Sequence, residues 1–96
     1  MAATIFELTG FQRDLLYVVF GLEQPSGQDI RSELEDEYDD VTHGQLYPSL
    51  DTLVEKGLAR KGALDRRTNY YETTREGEVA LRRRREWENQ YFDIGG

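Results

Sequence analysis

Ninety-six residues, 32% of them charged, make one small domain rather than a large enzyme fold. Nineteen acids against twelve bases give a formal charge of -7, which argues against a strongly basic nucleic-acid binder. Without cysteine and with a single histidine, the chain has no disulfide framework, thiol nucleophile, Cys-based metal site or His-paired triad to offer. No apolar run approaches the roughly 20 residues that cross a bilayer, and residues 1–8 lack a basic region followed by an apolar stretch. The expectation is a soluble, cytoplasmic protein with no membrane partner.

Thr9 is a good N-cap, and Phe11, Leu15, Leu16, Val19 and Leu22 recur at helical spacing, which predicts a first helix over 10–22. Gln24-Pro25-Ser26-Gly27 reads as a turn whose serine caps a second helix over 27–38, where Ile30, Leu34 and Tyr38 stack. The acids of 33–40 form its solvated face. Thr42 caps a third helix that runs to Lys56, with Leu46, Leu50, Leu53 and Val54 inward and Gly57 as the stop. Pro48, beyond the first turn, is expected to remove one backbone hydrogen bond and to bend or loosen the helix start.

From Leu58 the period changes. Residues 58–63 and 68–73 are short strand candidates around the polar link Leu64-Asp65-Arg66-Arg67, a hairpin with a basic tip. A fourth, long helix follows from Thr74 to about Phe92. The fold class is therefore α+β, mostly α: a winged helix-turn-helix of three helices, a two-stranded β-hairpin wing and a C-terminal dimerisation helix. One domain spans 1–96, with the core and wing at 9–73 and the dimerisation helix at 74–94.

Charge divides along the chain. Residues 1–55 hold two bases and twelve acids, a formal -10, whereas residues 56–96 hold ten bases and seven acids, a formal +3. Ten of the twelve bases are arginine, and an acidic, lysine-poor surface suits very salty cytoplasm, because dense carboxylates stay hydrated and repel one another there. The composition is read as halophilic.

At Leu46-Tyr47-Pro48-Ser49-Leu50, then Leu53 and Glu55-Lys56-Gly57-Leu58, the sequence resembles the PadR family of winged-helix transcriptional regulators. The resemblance continues in Tyr70-Tyr71 and in Thr74-Arg75-Glu76-Gly77 with Leu81, and covers about residues 9–85 in the family's order and spacing. It implies a sequence-specific DNA-binding regulator and suggests that the Tyr47 hydroxyl meets a phosphate.

Turning helix three at about 100° per residue puts Gly44, Gln45, Pro48 and Thr52 on or beside the outer side, flanked by Tyr47 and Asp51. Thr42, His43 and Gln45 stand at its N-terminal end, where free N–H groups and the helix dipole favour phosphate, and Gln45 has the geometry to pair with adenine. Lys61, Arg66, Arg67 and Asn69, with Arg60, make a basic cluster at the wing suited to phosphates or the minor groove. These residues, 42–45, Tyr47, Pro48, Thr52, Lys61, Arg66, Arg67 and Asn69, are the candidate DNA contacts, with helix 42–56 in the major groove and wing 60–69 on the backbone or minor groove. Arg82-Arg83-Arg84-Arg85 sweep about 300° of helix and stand at i,i+3 or i,i+4 from Glu78, Glu86 and Glu88, so they read as an ion-paired surface rather than a phosphate track.

Ala80, Arg84, Trp87, Tyr91 and Ile94 fall on a heptad-like seam with Phe92 beside it, which predicts a homodimer through helix four, helped by helix one. Two copies would present paired recognition helices to a pseudo-palindromic double-stranded site, and occupation of promoter DNA makes the reading a repressor. The alternative to Trp87 in a dimer seam is Trp87 folded back on helix one. A small aromatic effector at the seam near Tyr17, Phe20, Trp87 or Tyr91 is conceivable but unsupported, since these are equally good core residues. The competing function is a protein-interaction module without DNA binding, favoured if Arg66 and Arg67 pair with the chain's own carboxylates. No trio of nucleophile, base and orienter and no metal-ligand set is visible, so no enzyme, cofactor or metal is expected.

Overall fold

The computed structural model describes residues 5–92. A 3-10 turn at Ile5–Glu7 precedes α1 (Gly10–Gly21), α2 (Gly27–Leu34), α3 (His43–Glu55), strands β1 (Ala59–Ala63) and β2 (Asn69–Thr73), and α4 (Arg75–Asn89). The two strands pair antiparallel with Ala59 opposite Thr73 and Ala63 opposite Asn69. This is the winged helix-turn-helix arrangement the periodicity predicted.

The local chemistry of each start is a side-chain cap. Thr9 and Ser26 close reciprocal capping boxes with Gln12 and Asp29, and Thr42 and Thr74 accept from the backbone N–H of Gln45 and Gly77. α3 ends as sharply. Gly57 takes φ 77°, and its N–H and that of Leu58 return to the carbonyls of Val54 and Leu53, so a left-handed residue terminates the helix and turns the chain into the wing.

One apolar core ties the layers together. Leu15, Leu16 and Val19 of α1, Ile30 and Leu34 of α2, Leu46, Leu50 and Leu53 of α3, Leu58 and Tyr71 of the wing root, and Ala80 and Leu81 of α4 are all buried. Ile5, Leu8 and Val41 join them from outside the long helices.

Three expectations are corrected, and one turn gains a further role. α2 stops at Leu34 instead of 38, because the acids of 35–40 continue as turns; Tyr38 leaves the helix and its hydroxyl donates to Asp14 at 2.5 Å, which holds the tyrosine above its ordinary pKa. α4 stops at Asn89, so Tyr91 and Phe92 follow it in a turn and a bend. Ala80 is in the chain's own core at 7% exposure, off the exposed seam. Gln24-Pro25-Ser26-Gly27 does more than turn: the Pro25 carbonyl accepts from Tyr71 N–H at 2.9 Å and Ser26 bridges Tyr70, which fastens the wing to the start of α2. Ile94 and the predicted end of helix four lie outside the described residues.

Candidate nucleic-acid interface

Burying Leu46, Leu50 and Leu53 rotates His43, Gly44, Gln45, Pro48 and Asp51 of α3 outward, where all five are exposed. Thr42, the cap, is exposed beside them, while Tyr47 and Thr52 are half-buried on the flanks. The first-turn N–H groups have no partner inside the helix ladder, so this end offers donors and the positive end of the dipole. Gln45 N–H is already taken by the Thr42 hydroxyl at 3.2 Å, whereas its side-chain amide stands in solvent.

Pro48 does not interrupt α3, which runs unbroken from His43 to Glu55. Its ring cannot donate to the Gly44 carbonyl, so that exposed carbonyl lacks its usual ladder partner. The Thr52 hydroxyl donates to the Pro48 carbonyl at 3.0 Å, which leaves the threonine its lone pairs and methyl for anything that approaches. Tyr47 stacks at 5.1 Å on His43 and presses its ring against Gly27, where a Cβ would collide with it. A side chain at that position would push the tyrosine ring aside.

The wing is a second arm. In its turn the Asp65 carboxylate accepts from the N–H groups of Arg67 at 2.8 Å and Thr68 at 2.9 Å, and these two hydrogen bonds hold Asp65 below the ordinary carboxylate range. The turn displays Arg66 and Arg67, both exposed. Among the described residues the ion pairs are Arg31–Glu35, Arg60–Glu72, Arg82–Glu78 and Arg84–Glu88, and none of them engages Arg66, Arg67 or Lys61. The strand pairing divides the predicted cluster. Lys61 and Asn69 share one face of the hairpin, while Arg60 lies on the other, bound to Glu72 directly opposite at 2.6 Å.

α4 carries a different surface. Trp87 packs edge-on against Phe6 of the 3-10 turn at 5.4 Å and lies 5.2 Å from Tyr91. The Arg84 guanidinium lies over both the Phe6 and Trp87 rings while holding Glu88 at 3.2 Å. Trp87, Tyr91 and Phe92 remain 39%, 72% and 73% exposed and line one apolar hollow with Glu88. Phe6, at 48% exposure, belongs to this surface and was missed in the sequence because a three-residue turn has no period. Tyr17 of α1 stands behind, with its hydroxyl raised in pKa by burial and then by the Glu88 carboxylate.

Among the described residues no group of three or more acids or histidines is placed to hold a metal ion, and no helix is long and apolar enough to cross a membrane. The sequence pattern of the family described as "Transcriptional regulator PadR-like family" matches residues 15–83. RosR of H. salinarum, solved from crystals grown from NaBr, is 46% identical over 92% of this chain and 80% of its own, with a TM-score of 0.85. At the level of fold alone, two more distant structures resemble it. A PadR family transcription regulator from Clostridium difficile is 20% identical over 85% of this chain and 90% of its own, with a TM-score of 0.70. Streptococcus pneumoniae FabT in complex with DNA is 20% identical over 88% of this chain and 57% of its own, with a TM-score of 0.72. No curated protein matches the chain significantly. On the family pattern over residues 15–83 and the RosR likeness, the chain belongs to the PadR-like family of transcriptional regulators and is a regulator rather than an enzyme.

Proposed function

We propose that the protein represses transcription by binding double-stranded DNA as a homodimer at a pseudo-palindromic operator. Helix 42–56 reads the major groove through Gln45, with Thr42, His43, Gly44, Tyr47, Pro48 and Thr52 around it. Wing 60–69 grips the backbone or minor groove with Arg66, Arg67, Lys61 and Asn69. The observation that carries the reading is the pair Arg66 and Arg67: in a chain of net charge -7 they stand exposed at the wing tip, outside every ion pair of the described residues. An interaction module would have had its own acids claim them. Arg84, Trp87, Tyr91 and Phe92, joined by Phe6, form the surface on which a second copy docks, with Ile94 as the next seam residue by spacing.

The acids of α2 and the turn after it stay on the exposed surface away from the core, the arrangement expected of a halophilic protein working in a salty cytoplasm. At molar salt counterion release contributes little, so specificity rests on base edges, apolar contact and water. The test is competition between the upstream region of the protein's own gene, other genomic fragments and scrambled duplex, from low to molar salt, with Trp87→Ala in parallel. Selective binding that survives high salt, with half-maximal binding displaced to higher protein concentration in Trp87→Ala, supports the reading. Equal binding to scrambled and genomic DNA at every salt sinks it.

A further inference from the structure

From His43 to Glu55, α3 contains neither arginine nor lysine, so it cannot make the commonest specific base contact, a forked cation on guanine O6 and N7. Turned at about 100° per residue, the stripe opposite the buried leucines runs through Gly44, Pro48, Asp51 and Glu55, all exposed. Acceptors crowd the middle of that stripe. The Gly44 carbonyl lacks its ladder donor because residue 48 is proline. The Thr52 hydroxyl donates its hydrogen to the Pro48 carbonyl at 3.0 Å and keeps only lone pairs. The Asp51 carboxylate takes part in none of the ion pairs of the described residues. Gly44 is a second, independent sign. A Cβ there would meet only the Thr42 hydroxyl oxygen, at 4.0 Å, so the protein's own packing does not require a glycine inside this helix, whereas close approach of the backbone to a ligand does.

An ionised carboxylate can only accept, and the major-groove edges of the four bases answer it differently. Guanine presents two acceptors and thymine one beside its methyl group, so both repel it. Adenine offers its N6 amino group next to the acceptor N7, a half match. Cytosine offers its N4 amino group with no acceptor on the same edge. We infer that Asp51 is a specificity-determining residue that accepts a hydrogen bond from the N4 amino group of one cytosine in each half-site, while Gly44 and Pro48 let the helix backbone come close to the neighbouring base edges. The inference rests on the reading that α3 lies in the major groove. It carries a second effect. Where no cytosine answers it, the same carboxylate stands in a groove walled by phosphates, so Asp51 weakens binding to wrong sequences as well as strengthening binding to the right one.

The experiment is selection from a randomised duplex library, at low and at molar salt, by the full chain and by its Asp51→Asn and Asp51→Ala variants, with the bound pools sequenced and scrambled duplex titrated alongside. The unaltered chain is expected to enrich one C·G pair in each half-site about tenfold over the other bases. Asp51→Asn should turn that position to A·T, because an amide pairs with adenine N6 and N7, and Asp51→Ala should leave it without preference while the other positions hold. Both variants should bind scrambled duplex about two- to fivefold more tightly at low salt, a gain that closes at molar salt and that damage to the fold would not produce. A motif that persists unchanged in both variants, or that fades equally at every position, overturns the assignment and leaves base reading by α3 in place. A pool from the unaltered chain with no motif at all overturns base reading by α3, and the assignment with it.

Discussion

Two sets of arginines occupy the basic half of this chain, and the structure treats them in opposite ways. At the wing tip Arg66 and Arg67 are held out by a turn whose one carboxylate, Asp65, is occupied with backbone N–H groups. On α4 the run 82–85 looks the stronger nucleic-acid signal in sequence, yet Arg82 is claimed by Glu78 at 2.7 Å and Arg84 by Glu88 and two aromatic rings. Arg83 and Arg85 fan away around the helix, exposed and separate. Density of positive charge is thus a poor guide. What matters is whether neighbouring acids fall at helical spacing, as they do on α4, or the local acid is used up by the backbone, as in the turn.

The sharpest way to break this contrast is to remove one set at a time. Arg66→Ala with Arg67→Ala is expected to weaken DNA binding about 50-fold at 0.1 M salt and to lower the salt slope by about 3.6, for two arginines in each of two copies, measured by fluorescence titration across salt. Gln45→Ala should cost about 1–3 kcal/mol per half-site on the preferred site and leave both scrambled duplex and salt slope unaltered, which separates reading from gripping. Arg82→Ala with Arg84→Ala should do the reverse: a loss of about 1–2 kcal/mol in denaturant unfolding, from two i,i+4 pairs and the aromatic contacts, with the salt slope for DNA intact.

The smallest effect concerns acid. Asp65 has its folded pKa below the ordinary 3.8, so its contribution to the turn is complete above that value and is lost only as pH falls through the lower folded value. Hydrogen exchange at the Arg67 and Thr68 amides, corrected for intrinsic rates, should therefore keep its protection from pH 7 to 5, and Asp65→Ala should remove it throughout. Protection that fades between pH 7 and 5 would show that another group holds the turn.

The fold was legible because its helices are amphipathic and well capped. Leu46, Leu50 and Leu53 fixed the rotation of α3, and the exposed positions of Gln45 and Pro48 follow from that alone, while the polar link between two short strands placed Arg66 and Arg67 at a hairpin tip. What stayed hidden depends on partners distant in the chain. Ile5 and Leu8 enter the core, and Phe6 finds Trp87, through a turn too short to show a period. The Pro25–Tyr71 hydrogen bond needs the wing already in place. The acids after Leu34 carry on the helical composition while the backbone leaves the helix, and a heptad spacing assigned Ala80 to a surface although its small side chain fits the core.

The root of the wing closes on a missing methyl group. Thr74 donates its hydroxyl to the Gly57 carbonyl at 2.6 Å and its N–H to the Leu58 carbonyl at 3.1 Å, and Gly77 then lies so close to that carbonyl that any Cβ would strike it. The end of α3, the root of β1 and the first turn of α4 are welded at one point. Such a joint behaves as a fixed mitre between two beams: the inclination of α4 to the wing is set mainly by backbone contact at Gly77, pinned by the one hydroxyl of Thr74. If α4 joins two copies, the span between their wings is therefore a property of glycine 77 as much as of the aromatic surface, and a new span would have to come from the far end of the helix.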